Sequence, residues 1–235
     1  MSKCYLFDIC NHKDCGKDFC LRKYKMDSLY SAALMTESQK QHVILLVDDN
    51  GADLEQFKQL AEIEQNICNF IKEGKNLYLH SANCGNGKSS WSLRLAEAYF
   101  HKIWARSEAK CRVLFISVPR FLLALKDSIS AKNTYVDYIK ENVFEADLVI
   151  WDDIAAKMGS EFELTHLLNI IDNRLALGKS NIYTSNLNRE QLYTALGERL
   201  TSRIANMSID IELFGSDKRT LKLEDSNDIT VSNFK

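Results

Sequence analysis

Ala82-Asn83-Cys84-Gly85-Asn86-Gly87-Lys88-Ser89 decides how this chain is read. The apolar run Leu77-Tyr78-Leu79 leads into it, and a helical pattern from Ser90 to Trp104 leaves it. A strand, a glycine-containing loop and a helix in that order turn successive backbone N–H groups inward around phosphate oxygens. The helix N-terminus adds the positive end of its dipole. In such a loop Lys88 reaches the β- and γ-phosphates and Ser89 ligates Mg²⁺, with Ser90 continuing the cofactor-binding run. Ala82 stands where the strict pattern has glycine, a place that asks only for a small residue. The expectation is a nucleotide site built from residues 82–90.

Outward from the loop, buried apolar runs alternate with amphipathic stretches. Strands are expected at Leu77–His80, Val113–Ser117, Leu148–Trp151, Ile182–Ser185 and Ser208–Leu213. Helices are expected at Lys88–Trp104, Pro119–Ser128, Tyr135–Asn142, Glu161–Leu177, Arg189–Leu196 and Glu198–Asn206. That alternation predicts an α/β fold, a parallel five-stranded sheet flanked by helices. Upstream, Asp53 followed by Gln56 resembles a capping box. It opens a helical spacing of Leu54, Phe57, Leu60, Ile63, Ile67, Phe70 and Ile71 that Gly74 ends.

Two further segments carry chemistry. Ala146-Asp147-Leu148-Val149-Ile150-Trp151-Asp152-Asp153 is an apolar strand ending in paired carboxylates, at the edge where parallel sheets bind ligands. Asp152 is placed to hold Mg²⁺ through water, and Asp153 to polarise the attacking water. The bland alternative is a turn or helix cap. The next strand ends in Asn186, a side chain able to hydrogen-bond water or the γ-phosphate without taking a proton. Arg199 and Arg203 stand at i, i+4 on one helix face. They either pair with surface acids or reach a neighbouring subunit's γ-phosphate as an arginine finger.

The 235 residues suit one domain with a small appendage, and a net charge of −2 supplies no global field toward nucleic acid. No apolar run approaches a membrane span, and Met1-Ser2-Lys3-Cys4 lacks the apolar core of a signal peptide, so a cytoplasmic location is expected. Four of the seven cysteines, Cys4, Cys10, Cys15 and Cys20, fall in the first twenty residues, with His12 among them. Asp8, Asn11, Lys13, Asp14, Gly16, Lys17 and Asp18 fill much of the space between them; so polar a stretch from Cys10 to Cys20 is too poor in apolar side chains to build a core, and such segments fold around metal. Tetrahedral zinc on the four cysteines is favoured over a set that includes His12; a tail with incidental thiols is the alternative. A basic cluster (Arg22, Lys23, Lys25) leads into a helix expected from Asp27 to about Lys40. Val43–Val47 and the turn Asp48-Asp49-Asn50-Gly51 mark a boundary between an N-terminal module and linker helix (1–42) and the nucleotide domain (43–235).

The order of motifs resembles the DnaC/DnaI-type bacterial helicase loaders, AAA+ ATPases of replication initiation. The likeness runs from about Leu54 to Arg219. It includes Val113-Leu114-Phe115-Ile116-Ser117-Val118-Pro119, the Asp-Asp strand, Ile170-Ile171-Asp172-Asn173-Arg174, Tyr183-Thr184-Ser185-Asn186-Leu187 and Gly197-Glu198-Arg199-Leu200-Thr201-Ser202-Arg203. The resemblance implies an AAA+ P-loop core with Lys88 and Ser89 as Walker A, Asp152 and Asp153 as Walker B, and Asn186 as sensor 1. It casts Arg203 as the finger acting in trans with Arg199 in support, and Arg219 as sensor 2. Sixteen residues follow Arg219, in keeping with loaders that lack a helical lid. It also implies ATP, Mg²⁺, a hexameric replicative helicase gripped by the N-terminal zinc module, self-association through the ATP sites, and single-stranded DNA as partner. Turnover is expected to be weak alone and stimulated in the assembly. Asp153 replaces the glutamate of many relatives, which predicts slow hydrolysis. The short N-terminal region is similar to a phage- or prophage-encoded form. Three other readings share parts of the pattern: an IstB-type transposition helper, which would bear a duplex-DNA-binding front end, a nucleoside or nucleotide kinase, which would need an arginine-rich lid, and a non-catalytic adaptor that binds ATP as a conformational switch.

Overall fold

The computed structural model describes residues 4–6, 10, 19–40, 51–108, 110–156 and 159–217. Within these, eight helices and five strands alternate: α1 (Leu21–Ala32), α2 (Leu54–Gln65), α3 (Ile67–Lys72), β1 (Asn76–His80), α4 (Lys88–Ile103), β2 (Val113–Ser117), α5 (Val118–Asp127), α6 (Thr134–Asn142), β3 (Leu148–Asp152), α7 (Glu161–Ala176), β4 (Ser180–Ser185), α8 (Arg189–Ala205) and β5 (Ile209–Glu212). All strand pairs are parallel, in the order β2-β3-β4-β1-β5. This is the doubly wound sheet expected from the alternation of apolar runs and amphipathic helices. No described helix is long and apolar enough to cross a membrane.

Strand side chains alternate between two faces, so each inner strand feeds two cores. Leu77 and Leu79, Phe115, Ile150, Ile182 and Ile211 join one cluster with residues of α1 to α4, among them Leu29, Tyr30, Leu95 and Phe100. Tyr78, Ile116, Val149, Trp151 and Tyr183 join the other with residues of α5 to α8, among them Phe121, Ile139, Ile171 and Leu200. Burial on both faces is why these strands read as nearly unbroken apolar runs.

Three local expectations are corrected. The helix placed from Asp27 to Lys40 starts at Leu21 and stops at Ala32. Cys20 takes the N-cap and its sulfur accepts from the Lys23 N–H at 3.5 Å. Met26, Leu29, Tyr30 and Ala33 form the buried stripe, and Leu34 turns left-handed (φ 62°) to end it. The single helix expected after Asp53 is two, broken at Asn66, whose backbone is non-helical (φ −103°, ψ 21°). Asp53 itself occupies the N-cap of α2 without making a side-chain cap bond. Conversely, the division of the last long helical stretch at Gly197 is seen as a kink with φ 77° and ψ 168° inside α8.

Helix α1 is bonded to the sheet it covers. Tyr30 meets Phe100 of α4 edge-on at 5.1 Å, and the Phe115 N–H of β2 donates to the Ala33 carbonyl at 2.9 Å. The Ala32 carbonyl accepts from Tyr138 Oη of α6 (2.7 Å) and from Cys111 Sγ just ahead of β2 (3.2 Å), so a carbonyl that a helix end leaves orphaned finds partners in the neighbouring elements. On the opposite side Arg174 of α7 is fully buried and bridges three segments. It donates to Asn181 Oδ1 at 2.8 Å and to the carbonyls of Val143, Ala146 (3.0 Å) and Ser180 (2.6 Å). Burial lowers its pKa to about 10.

Candidate nucleotide-binding site

Strand order determines what meets the phosphate loop. β1 lies between the central strand β4 and the edge strand β5, so the loop after His80 opens on the carboxyl edge beside β4. Next to it ends β4, followed by Asn186, and one strand further β3 ends in Asp152. Loop, sensor-position asparagine and paired carboxylates are thereby brought to one edge of the sheet, where α/β proteins of this kind bind ligands.

The loop is shaped by two left-handed glycines, Gly85 (φ 72°) and Gly87 (φ 107°), backbone angles that a Cβ would strain. Ser81 is buried at its root, its hydroxyl accepting from the Asn83 N–H (3.0 Å) and from Asn86 Nδ2 (2.5 Å). Lys88 begins α4 only 6% exposed, its ammonium donating to the Asn83 carbonyl (2.8 Å) and Asn86 Oδ1 (3.2 Å). Ala82, Asn83 and Cys84 form the exposed rim. The helix is held firmly under the loop: Trp91, Leu95 and Tyr99 are buried one turn apart, and Trp91 lies 5.4 Å from Phe57 of α2.

Across the sheet edge, Ser89 Oγ donates to Asp152 Oδ1 at 2.7 Å, and the same oxygen accepts from Thr184 Oγ1 at 2.8 Å. A hydroxyl and a carboxylate this close, both hard oxygen donors, fit a magnesium ion. Burial pushes the Asp152 carboxyl above its ordinary range; the Ser89 and Thr184 hydroxyls pull it back down, Asp153 adds to the rise and Lys88 opposes it. Thr184 also accepts from the Asp153 N–H at 2.9 Å, and the Ile154 N–H donates to the Thr184 carbonyl at 2.8 Å. These bonds hold Asp153 left-handed at φ 58° and set its side chain beside a cavity of about 270 Å³ between α5 and the start of α7. Val118, Pro119, Leu122 and Ala155 line that cavity, which opens next to Asp153 and not at the phosphate loop.

Thr184 was not singled out from sequence. A threonine inside an apolar strand reads as a β-former; the available signal was its position directly after the residue paired with Trp151, one step from the carboxylates. Asp53, expected only as a helix cap, has a second role. It is 1% exposed, and its carboxylate accepts from the Phe214 N–H (2.6 Å) and the Gly215 N–H (3.0 Å) in the segment that follows β5.

The remaining expected residues are placed as follows. Asn186 is half-buried beside the carboxyl edge. Arg199 and Arg203 are exposed on the part of α8 beyond the Gly197 kink, where the chain runs back toward the start of β5. Arg203 Nε pairs with Asp172 of α7. Arg219, together with the whole region where a lid is expected to be absent, lies outside the described residues. So do Cys15 and His12. Among the described residues no three His, Cys, Asp or Glu side chains gather as a metal site, and Cys4, Cys10 and Cys20 are free thiols.

No protein-family model matches the chain. Among curated proteins it is similar to the replicative helicase loader DnaC of Escherichia coli strain K12, 27% identical over 143 residues. That alignment covers 61% of this chain and 52% of the relative, so the chain spans about half the length of the curated relatives it matches. Among solved structures it is similar to a crystal structure of the DnaC helicase loader (TM-score 0.61, 19% identical, covering 76% of this chain and 100% of that one). It is also similar to the replication initiator DnaA bound to AMPPCP and single-stranded DNA (TM-score 0.55, 18% identical, covering 69% and 46%). The structural likenesses establish the fold, a parallel five-stranded α/β sheet with flanking helices.

Proposed function

We propose, from the chain's homology to the replicative helicase loader DnaC, that it is an ATP-dependent loader of a hexameric replicative helicase onto single-stranded DNA. The observation that carries the ATPase half is the Ser89–Asp152 bond of 2.7 Å, which joins two residues 63 positions apart at the mouth of the phosphate loop.

In this reading the loop amides and Lys88 take the phosphates of ATP, Lys88 exchanging its contacts with Asn83 and Asn86 for phosphate oxygens. Ser89 and Asp152 would hold Mg²⁺, which when bound neutralises developing charge on the β- and γ-oxygens. Asp153, fixed by the Thr184 hydroxyl, orients and polarises the attacking water, and Asn186 hydrogen-bonds it or the γ-phosphate. Arg203, turned away from its own loop, acts on the site of a neighbouring subunit with Arg199 in support. Arg219 serves as sensor 2. ATP thus orders subunits side by side, and hydrolysis releases the loader. The single-stranded DNA partner is supported by the likeness to DnaA bound to that ligand.

Residues 1–42 are assigned the grip on the helicase. The exposed Phe19, Leu21 and Tyr24 at the start of α1 present an apolar contact there. A zinc site on Cys4, Cys10, Cys15 and Cys20 is the accompanying reading, resting on cysteine spacing. The loader is assigned to the cytoplasm.

Size-exclusion chromatography with light scattering on the chain mixed with its host's replicative helicase, with and without ATP, tests the proposal. A complex weakened by Leu21→Ser and Tyr24→Ser supports both the loader and its grip. Absence of a complex in either nucleotide state, together with a duplex-DNA footprint, would move the assignment to a transposition helper.

A further inference from the structure

Asp53 is a costly residue in an unremarkable place. Its backbone caps α2, where a serine or asparagine would serve, yet its side chain makes no cap bond and is 1% exposed. A buried carboxylate is tolerated only with hydrogen bonds that replace its water. Here one oxygen takes the Phe214 N–H and the other the Gly215 N–H, 161 and 162 positions along the chain. The segment so held, Leu213 to Asp217, lies directly against the phosphate loop. Asn83 Nδ2 donates to the carbonyls of Phe214 (3.1 Å) and Gly215 (3.2 Å), and Asn86 Nδ2 donates to that of Leu213 (3.3 Å). The contact is tight: a Cβ built on Gly85 would lie 1.8 Å from Asp217 Oδ1. The two asparagines that grip the segment from the loop side are the two that hold the Lys88 ammonium, through the Asn83 carbonyl and Asn86 Oδ1.

We propose that Asp53 is a positioning residue of the nucleotide site: by clamping two consecutive amides after β5 it holds a strap against Asn83 and Asn86, and so fixes the conformation in which the loop receives phosphate. The proposal rests on the reading of 82–90 as a nucleotide loop and adds the residue that preorganises it. Asp53 touches no nucleotide; it acts through backbone amides, then side-chain amides, then the loop itself.

The test is a double-mutant cycle on the full chain, with the Kd for Mg-ATP measured by displacement of a fluorescent ATP analogue, well below the melting temperature of every variant. Asp53→Asn turns one acceptor into a donor facing an N–H, and the expected result is a Kd raised on the order of tenfold. Asn83→Ala removes the grip at the other end of the same strap and is expected to weaken binding similarly. Because both act through one strap, the double variant should bind little worse than the weaker single one. General destabilisation by Asp53→Asn would lower the melting temperature and leave Kd unchanged. That outcome, or losses that multiply in the double variant, overturns the proposal. If the unaltered chain binds no Mg-ATP and Lys88→Ala changes nothing, the nucleotide reading itself has failed.

Discussion

Replacing Thr184 by valine removes one hydroxyl from a fully buried site while keeping its shape. That hydroxyl donates to Asp152 Oδ1 at 2.8 Å and accepts from the Asp153 N–H at 2.9 Å. A hydrogen bond to a charged group contributes about 1.5–3 kcal/mol, and an amide left unpartnered in a part-buried turn costs about 1 kcal/mol more. The expected loss is about 2–4 kcal/mol, or roughly 4–16 °C in Tm for a chain of this size. Thr184→Ser keeps the hydroxyl and should recover most of it. The loss should also depend on pH. Burial holds the folded Asp152 carboxyl above its unfolded value, so the fold carries a penalty when that group is ionised in both states and none when it is protonated in both. Stability therefore falls as pH rises through the interval between the two values, and removing Thr184 widens that interval. The Tm gap between Thr184→Val and the parent should be largest at neutral pH and shrink toward the ordinary carboxylate range. Calorimetry across pH, with a parallel Mg²⁺ titration of ATP binding, reads both effects. A valine variant within 1 °C of the parent, or a serine variant as damaged as the valine one, would refute the assignment of Thr184 as the group that sets Asp152 and Asp153.

Three other expectations follow from the same geometry. Arg203→Ala should keep ATP binding and lose assembly-dependent turnover; its partner Asp172 is exposed, so stability should change by less than about 1 kcal/mol in thermal unfolding. Arg174→Met should destabilise the chain by about 3–5 kcal/mol, because it strands the carbonyls of Val143, Ala146 and Ser180 in the interior, and denaturant titration measures it. Elemental analysis of the purified chain should find about one zinc per molecule, lost on replacing Cys10 and Cys15 by serine.

The sheet was legible because each inner strand is buried on both faces and so appears as an apolar run, as in Leu148–Trp151. The placement of the 82–89 loop between β1 and α4, and of Asp152 at the end of β3, was legible for a different reason: each is marked by adjacent residues in one turn of chain. What sequence concealed is pairing over long separations. Asp53 reads as a helix cap because the amides it serves lie at the far end of the chain. Thr184 reads as an ordinary strand residue because its partners sit on another strand. The start of α1 is hidden because its cap is a cysteine, a residue type that reads as a metal ligand before it reads as a cap. Its docking, through Tyr30 on Phe100 and Ala33 on Phe115, is a property of the packed molecule that no local pattern announces.

That docking has a mechanical consequence. α1 is joined to the edge strand β2 by a backbone hydrogen bond from Phe115, and β2 is in register with β3 so that Ser117 stands opposite Asp152. A load applied near Phe19 or Tyr24 meets a continuous helix, Leu21–Ala32, whose cap residue Ala33 is bonded to β2. It passes along a rigid helix into the outermost strand, and across one ladder of hydrogen bonds to the carboxylate at the nucleotide site. The exposed apolar start of α1 and the carboxylate edge of the sheet are thus joined in series through Ala33, Phe115 and the β2–β3 register.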